Sequence, residues 1–383
     1  MKKKVRVGLV YGGKSGEHEV SLQTAFAVIN AFDFEKYELI PFYITREGEW
    51  RKGELIEGPL QHIQQLKMEN QNADGTKELS LDLPLARHPV AKESAAHEIE
   101  TEMDVVFPLL HGTYGEDGTI QGLLEMMNIP YVGAGVLASA VGMDKVFMKK
   151  IFAQEGFPQC LYRYFTRHQW EKDRSFFIME IEISLGYPCF VKPANLGSSV
   201  GISKAGDRNE LIRAVEEAFR YDRKVIVEEY VDAREIEVGV LGYEEPQASV
   251  CGEVISSNEF YDYRAKYIDG KSQLIIPADL DEEVAENIRA MAVRAFQAID
   301  CTGLARVDFF LRRSDGAILI NEINTMPGFT PYSMYPLLWK HSGKSYRELL
   351  DDLIEIALKR YNDKQQLEFG HGFEQGSSGH ENR

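Results

Sequence analysis

Short apolar runs and longer stretches of helical period alternate along the chain. Strand-like runs fall at residues 5–10, 37–44, 103–110, 131–133, 188–193, 202–204, 224–231, 233–241, 306–311 and 318–324. Apolar positions that recur every three or four residues predict helices at residues 22–32, 121–127, 138–155, 211–219, 281–300 and 346–361. Alternating strands and helices are typical of an α/β fold.

Breaks in this pattern predict several domains. The 383 residues exceed what one ordinary hydrophobic core supports. Gly133-Ala134-Gly135 marks a boundary, and we predict domains at residues 1–133, 134–232 and 233–363. Residues 46–102 are polar and mixed in charge, and we interpret them as peripheral elaboration of the first domain. Residues 364–383 are rich in Gly, Gln and Ser and are predicted to form a disordered tail.

Two glycine-rich loops follow strands of the first domain. Gly12-Gly13-x-x-Gly16 lies between a strand and a helix, the opening of a βαβ unit, although its spacing is not that of the dinucleotide fingerprint. Glu17 comes next and is suited to hold a cation. The second loop contains His111 and Glu116 at the carboxyl end of a strand, where open α/β sheets bind ligands. Alternatively, the glycines serve only the turns and His111 caps one.

Residues 306–324 predict a β-hairpin, because two apolar runs flank an Asp-Gly turn. A turn centred on Asp315 places Asp308 opposite Glu322, and side chains two residues apart share a face. The polar residues on that face are Arg306, Asp308, Glu322 and Asn324. Two carboxylates and an amide oxygen on rigid strands suit Mg²⁺. The alternative is a solvated face with a chance salt bridge.

A third glycine-rich segment, residues 197–201, joins two strands and contains Ser198 and Ser199. It lacks the Walker A spacing and the helix that follows such a loop. Instead, backbone N–H groups and hydroxyls of a mobile hairpin can cover phosphate oxygens, while Lys192 on the preceding strand adds charge. Residues 260–270 combine tyrosines with basic residues and are typical of a lid. An ordinary flexible hairpin is the alternative for the glycine segment.

Charge and composition exclude several classes of protein. The net charge of −17 argues against a nucleic-acid surface, although a nucleotide ligand needs only a few local cations. The sequence has no run of about 18 apolar residues, which predicts that no segment enters a membrane. The first apolar run is read as a strand rather than a signal peptide. The four cysteines are scattered, which favours free thiols in a reducing cytoplasm.

In combination, these motifs resemble those of the D-alanine–D-alanine ligase family of ATP-grasp enzymes. The resemblance covers residues 5–356 except the middle of the first domain. The motifs that carry it are Gly12-Gly13 with Glu17-His18-Glu19-Val20-Ser21, His111-Gly112 with Gly115-Glu116-Asp117-Gly118, Met143-Asp144-Lys145, Lys192-Pro193 with Gly197-Ser198-Ser199-Val200-Gly201, Tyr261-Asp262-Tyr263 with Lys266-Tyr267, Arg306-Val307-Asp308, and Asn321-Glu322-Ile323-Asn324-Thr325 with Pro327-Gly328.

The resemblance implies an ATP-grasp architecture with an N-terminal Rossmann-like domain. It further implies that ATP phosphorylates one D-alanine and that the amine of a second D-alanine attacks the acyl phosphate, which gives a dipeptide for peptidoglycan synthesis and cell shape. It implies two Mg²⁺ or Mn²⁺ ions and a cytoplasmic homodimer. The alternatives are a D-alanine–D-lactate ligase, against which Tyr267 in the lid argues, and a non-catalytic ATP-binding module, against which the intact carboxylates argue.

Site residues follow from the same resemblance. Glu17 is expected to hold the first ammonium and to connect to Ser198 and Tyr267, while Arg306 and backbone N–H groups near Gly328 stabilise the oxyanion. The residues expected at the nucleotide are Lys145, Lys192, Ser199, Glu228, Glu229, Tyr230, Val231, Glu235 and Lys266. The residues expected at the amino-acid substrates are His111, Gly328 and Ser333, with Arg306 also on the second carboxylate. The expected metal ligands are Asp308, Glu322 and Asn324, with Glu322 bridging two ions.

Without the resemblance, a purely structural interpretation accounts for several of these residues. Alternation along strands would place Glu228, Glu229, Glu235 and Glu237 towards solvent. Lys145 would be an ordinary surface residue of a helix.

Overall fold

The computed structural model describes residues 3–68, 103–197, 200–255 and 273–367. Within these ranges the strands form three β-sheets, each covered by helices. None of the helices in these ranges combines the length and the apolar character that a membrane crossing needs.

The N-terminal sheet has the strand order β3-β2-β1-β4. Its strands are β1 (Val5–Gly12), β2 (Tyr37–Ile44), β3 (Trp50–Lys52) and β4 (Val105–Pro108). Strand β1 is parallel to both β2 and β4, as in a Rossmann-like βαβ arrangement. The accompanying helices are α1 (His18–Ala31), a short 3-10 helix (Ile63–Lys67) and α2 (Thr119–Met126). The predicted strand at 131–133 is reduced to a single bridge between Tyr131 and Val106.

The central sheet is antiparallel throughout, in the order β5-β8-β6-β7. Its strands are β5 (Tyr162–Thr166), β6 (Cys189–Pro193), β7 (Ser203–Ala205) and β8 (Lys224–Glu229). The helices of this region are α3 (Val136–Met143), α4 (Lys145–Gln154), α5 (Arg167–Lys172), α6 (Arg174–Ser184) and α7 (Arg208–Ala218). Phe165, Val191 and Val227 pack with α6 and α7 into a core of their own.

The C-terminal sheet is also antiparallel, in the order β11-β10-β9-β12-β13. Its strands are β9 (Ala233–Gly242), β10 (Gln247–Ile255), β11 (Gln273–Ile275), β12 (Gly303–Arg312) and β13 (Ile318–Asn324). The helices are α8 (Glu282–Ala298), α9 (Met334–His341) and α10 (Tyr346–Gln365).

The single helix predicted at residues 138–155 is wrong, because Asp144 divides it into α3 and α4. Asp144 has extended backbone angles (φ −87°, ψ 97°), and its carboxylate accepts hydrogen bonds from the N–H groups of Val146 and Phe147. Such a side chain satisfies the free N–H groups at the start of a helix and therefore starts a new one. Asp144 also pairs with Lys224 of β8, which ties α4 to the central sheet.

Helix α10 joins the two ends of the chain. Its residues Leu350, Leu353 and Ile354 pack in one hydrophobic cluster with Val7 and Leu9 of β1. The helix continues to Gln365, so the predicted start of the tail at residue 364 is two residues too early. The reason is long-range bonding: Lys364 pairs with Glu125, and Gln365 donates a hydrogen bond of 2.9 Å to Asn128. Residues 368–383 lie outside the described residues.

Candidate active site

A cavity of about 230 Å³ lies between the central and C-terminal sheets. Both sheets contribute charged side chains to it. The predicted site residues that line it are Lys192, Glu228, Glu229, Tyr230, Val231, Glu235, Asp308 and Glu322, alongside the apolar Phe190, Ile202 and Phe309. Apolar walls with a few convergent polar groups are typical of a small-molecule site.

The hairpin of β12 and β13 has the predicted register. Asp308 pairs with Glu322 and Arg306 with Asn324. Phe309 then pairs with Ile320, so Asn321 is an extra residue in a β-bulge beside the carboxylates. Bulges redirect side chains and are common next to functional sites.

Arg306 lies between two carboxylates in the buried part of this hairpin. Its guanidinium donates a bidentate pair of 2.7 Å hydrogen bonds to Asp308, and its Nε lies 2.9 Å from Glu237 Oε2 on β9. Burial alone would lower the pKa of Arg306, but Asp308 and Glu237 raise it well above its ordinary value. Arg306 therefore stays charged and is held at a fixed angle by paired oxygens.

Lys145 connects the hairpin to the glycine-rich segment of the central region. Its Nζ lies 3.3 Å from Glu322 Oε2 and donates a 3.1 Å hydrogen bond to the Leu196 carbonyl. Its backbone N–H bonds to the carbonyl of Ala194. The start of α4 thus places a cation between the carboxylates and the loop predicted to cover phosphates.

Glu228 is buried between two lysines. Lys192 pairs with its Oε2, and Lys149 Nζ lies 2.7 Å from its Oε1. Burial raises the pKa of Glu228, but Lys149 and Lys192 lower it to a net value of about 2. Burial lowers the pKa of Lys192, yet Glu228 raises it to a net value above the ordinary one. Glu228 and Lys192 are therefore ionised at neutral pH.

The low pKa of Glu228 makes a testable contribution to acid stability. A carboxyl with a depressed pKa stabilises the fold above its unfolded pKa near 4.5, and this contribution is lost as the pH falls towards 2. We expect Glu228→Gln to be less stable than the parent chain by about 3 kcal/mol at pH 7. Measured by urea unfolding, the difference in unfolding free energy between the two chains should shrink steadily as the pH falls below 4.5. A difference that does not change with pH would contradict the ion-pair account.

Glu17 lies directly before α1 in a cradle of glycines. A Cβ added to Gly112 would lie 2.4 Å from Glu17 Oε2, and one added to Gly197 would lie 3.1 Å from it. The carboxylate therefore reaches from the N-terminal domain to the glycine-rich segment. Gly112 also has φ +74°, a conformation that side chains disfavour.

His111 is buried behind Glu17. Its Nε2 lies 3.0 Å from Thr24 Oγ1, and its Nδ1 lies 3.7 Å from Glu116 Oε1. Burial lowers the pKa of His111, but Glu116 and Glu17 more than offset this and raise it above the usual value. His111 is thus a buried group that contacts Thr24 and Glu116.

The loop after β13 packs against the N-terminal domain, where the ring of Phe329 lies edge to face against that of Phe107. Phe329 is fully buried, and the neighbouring Gly328 is half-buried. Ser333 directly precedes α9, and its hydroxyl lies 2.8 Å from Thr330 Oγ1. These contacts fix the loop, so Gly328 and Ser333 lie in a defined segment beside the carboxylate hairpin.

Four predicted residues, Ser198, Ser199, Lys266 and Tyr267, lie outside the described residues, as does the rest of the predicted lid. Two further residues belong to the site although the motifs did not single them out: Lys149 and Glu237. Lys149 is four residues after Lys145, a spacing that places both on one helix face. Glu237 is two residues after Glu235 and therefore on the same strand face. These spacings could have suggested both.

The donor set fits a Mg²⁺ ion. Among the described residues there is no group of three His, Cys, Asp or Glu side chains that could hold a metal, so the protein would supply only Asp308, Glu322 and an amide oxygen. This small set suits Mg²⁺, which completes its octahedron with water and phosphate oxygens. Asn324 donates a 3.1 Å hydrogen bond from its amide to Asp308. A 180° rotation of the side-chain amide would point its oxygen in that direction instead.

Two sheets that enclose a cavity with lysines on one side and paired carboxylates on the other define the ATP-grasp class of ATP-dependent ligases. Family models match both parts of the chain: "D-ala D-ala ligase N-terminus" matches residues 6–134, and "D-ala D-ala ligase C-terminus" matches residues 151–355. The chain belongs to the D-alanine–D-alanine ligase family.

Individual relatives and solved structures agree with this assignment. The D-alanine–D-alanine ligase of Bacillus cytotoxicus is 56% identical over 366 residues, which cover 96% of this chain and 99% of the relative. The D-alanine–D-alanine ligase structure from Coxiella burnetii is 34% identical with a TM-score of 0.76, covering 95% and 96% of the two chains. The VanG D-Ala:D-Ser ligase from Enterococcus faecalis is 36% identical with a TM-score of 0.78, covering 93% and 100%. The predicted ATP-grasp fold is confirmed.

Proposed function

We propose that this protein joins two D-alanine molecules to D-alanyl-D-alanine with hydrolysis of ATP to ADP and phosphate, for peptidoglycan precursors. Family membership supports this reaction. The observation that carries the proposal is Lys145, which contacts both Glu322 of the carboxylate hairpin and the carbonyl of Leu196, directly before the glycine-rich segment. One cation at this point can neutralise a transferring phosphoryl group as it leaves the nucleotide.

The nucleotide is placed in the cavity between the two sheets. Its adenine would lie along residues 228–231, and its ribose would contact Glu235, since both line the cavity. The phosphates would extend towards Lys145 and Lys192, with Ser199 above them. Lys266 is proposed to add charge from the lid. Phosphoryl transfer depends mainly on positioning and charge neutralisation, which this arrangement provides.

Asp308, Glu322 and Asn324 are proposed to hold two Mg²⁺ or Mn²⁺ ions, with Glu322 between them. When bound, such ions neutralise phosphate oxygens and orient the nucleotide. The protein itself contributes the fixed spacing of the carboxylates, because Asp308 and Glu322 face each other across a two-stranded ladder.

The first D-alanine is proposed to bind between Glu17 and Arg306. Glu17 would accept the ammonium group, with Ser198 and Tyr267 closing over it and His111 behind it. A carboxylate oxygen of this D-alanine attacks the γ-phosphorus of ATP, which forms an acyl phosphate and releases ADP. Arg306 and the backbone N–H near Gly328 would stabilise the oxyanion that forms when the second amine attacks the acyl carbon. Ser333 and Arg306 would bind the second carboxylate.

Gly112→Ala is expected to raise the KM for D-alanine by about 10-fold or more, because the new methyl group displaces a charged hydrogen-bond acceptor. The added Cβ would meet Glu17 Oε2 at 2.4 Å. The KM for ATP should change little. Gly16→Ala is the matched control, since a Cβ there meets nothing within 4 Å and its φ is not in the positive range. Equal KM values in the two variants would contradict the placement of Glu17.

The acyl-phosphate step is tested by isotope transfer. D-alanine labelled with ¹⁸O in its carboxylate should give inorganic phosphate with one ¹⁸O, because the acyl C–O bond breaks when the amine attacks. Mass spectrometry of the phosphate measures this directly. Unlabelled phosphate alongside dipeptide would show that activation proceeds by another route.

We also propose three domains at residues 1–133, 134–232 and 233–363, each of which contains one of the three sheets. A cytoplasmic homodimer is proposed from the family resemblance. Light scattering after size exclusion should give twice the chain mass of 43.5 kDa.

A further inference from the structure

Lys149 is a buried cation that the proposed reaction does not use. Its side chain is 1% exposed, whereas Lys150, its neighbour on α4, faces solvent. Burying an ammonium group is costly unless a carboxylate compensates for it. The compensating group is Glu228, whose Oε1 lies 2.7 Å away.

Lys149 and Glu228 form a close ion pair, with 2.7 Å between Nζ and Oε1. Among the described residues, neither Lys149 Nζ nor Glu228 Oε1 has a well-oriented hydrogen-bond partner. Glu228 Oε1 therefore keeps its capacity to accept a hydrogen bond. Its carboxylate lines the cavity together with Tyr230 and Val231.

The second lysine that pairs with Glu228 is also proposed to contact the phosphates. Lys192 pairs with Glu228 Oε2 and lies near Glu322 on the phosphate side of the cavity. If Lys192 turns towards phosphate oxygens when the nucleotide binds, Glu228 loses one of its two cations. Lys149 is enclosed and stays in place, so among the described residues it is the cation that remains beside the carboxylate in the loaded site.

We propose that Lys149 is a positioning residue that keeps Glu228 an ionised, acceptor-only group and thereby makes the site select 6-amino purines over 6-oxo purines. Adenine presents an N–H donor at its 6-position, which a carboxylate accepts. Hypoxanthine presents a carbonyl there, and two acceptors facing each other repel. A protonated Glu228 could donate to that carbonyl, and the selectivity would be lost. This inference rests on the proposed placement of adenine at Glu228.

The test compares kcat/KM for ATP with that for ITP, whose base carries a carbonyl in place of the 6-amino group and a proton on N1. Lys149→Met removes the charge and keeps the bulk, and the ATP:ITP ratio should fall by about 10-fold or more. Lys149→Arg should preserve most of the ratio. Lys150→Met is the matched control on the exposed face of α4 and should leave the ratio unchanged. A merely structural role for Lys149 would lower both rates and leave their ratio intact.

A second variant separates this inference from the proposed function. Glu228→Gln carries an amide that can either donate or accept, so its ATP:ITP ratio should also fall. If Glu228→Gln loses the preference and folded Lys149→Met keeps it, the inference about Lys149 is wrong and the adenine placement stands. If Glu228→Gln keeps the preference, the adenine placement is wrong and the inference falls with it. Should Lys149→Met not fold by circular dichroism, Lys149→Gln carries the same expectation and the same refutation.

Discussion

Replacing Glu322 by alanine is expected to lower turnover by about 10³-fold or more. Glu322 faces Asp308 across the hairpin and lies 3.3 Å from Lys145, so it is at the junction of the proposed metal and phosphate sites. Removing its carboxylate takes away oxygen ligands of the proposed metal site and leaves Lys145 without this partner. Phosphate release from ATP with saturating D-alanine measures the loss.

The control for this variant lies on the same hairpin. Asp315→Ala removes an exposed turn carboxylate that pairs with nearby Arg312 and with the backbone. Surface pairs of this kind contribute about 1 kcal/mol or less, so turnover should be near that of the parent chain. Mn²⁺ bound in the presence of ATP, counted by electron paramagnetic resonance, should fall only in Glu322→Ala. Near-normal turnover of Glu322→Ala would contradict the metal assignment.

Arg306→Lys is expected to lower kcat by about 10²-fold to 10³-fold while the protein stays folded. The guanidinium binds both oxygens of Asp308 at 2.7 Å and reaches Glu237 at 2.9 Å, a planar geometry that an ammonium cannot reproduce. The charge is retained, so Asp308 and Glu237 keep a nearby cation. The loss should therefore appear in kcat rather than in stability.

Comparing Arg306→Lys with Arg306→Met separates the effect on kcat from the effect on stability. Methionine removes the Arg306 cation from two buried carboxylates, and breaking a buried ion pair on one side costs about 3–5 kcal/mol. Thermal unfolding should thus be lowered much more in Arg306→Met than in Arg306→Lys. Arg312→Lys, whose pair with Asp315 is exposed, is the control for the substitution itself. A normal kcat for Arg306→Lys would contradict the proposed role of Arg306 in the reaction.

The sequence predicted those parts of the site that depend on residues close together in the chain. The pairing of Asp308 with Glu322 followed from a turn centre and the two-residue period of strands. The bulge at Asn321 was not predicted, yet the register beyond it agrees with a turn centred on Asp315. The glycine loops were found because turns and close backbone approaches require glycine, as Gly112 beside Glu17 illustrates.

Other features depend on contacts between distant parts of the chain. Alternation suggested that Glu237 faces solvent, but Arg306 of the neighbouring strand β12 pairs with it, and Glu237 is 5% exposed. The pairing of Asp144 with Lys224 joins residues that are 80 positions apart in the chain. The length of α10 depends on Glu125 and Asn128 in the first domain. In each of these contacts, the two partners are too far apart in the sequence for a local pattern to include both.

The most direct test of the central claim is phosphate release from ATP and Mg²⁺ with D-alanine, with L-alanine, and with D-alanine plus D-lactate or D-serine. The proposed site predicts release only when D-alanine is present, with D-alanyl-D-alanine as the product by mass spectrometry. In the mixtures, the dipeptide should remain the main product. Release without dipeptide, or a D-lactate ester or D-serine product in preference to it, would contradict the assignment of the second substrate. No release with D-alanine would contradict the ligase itself.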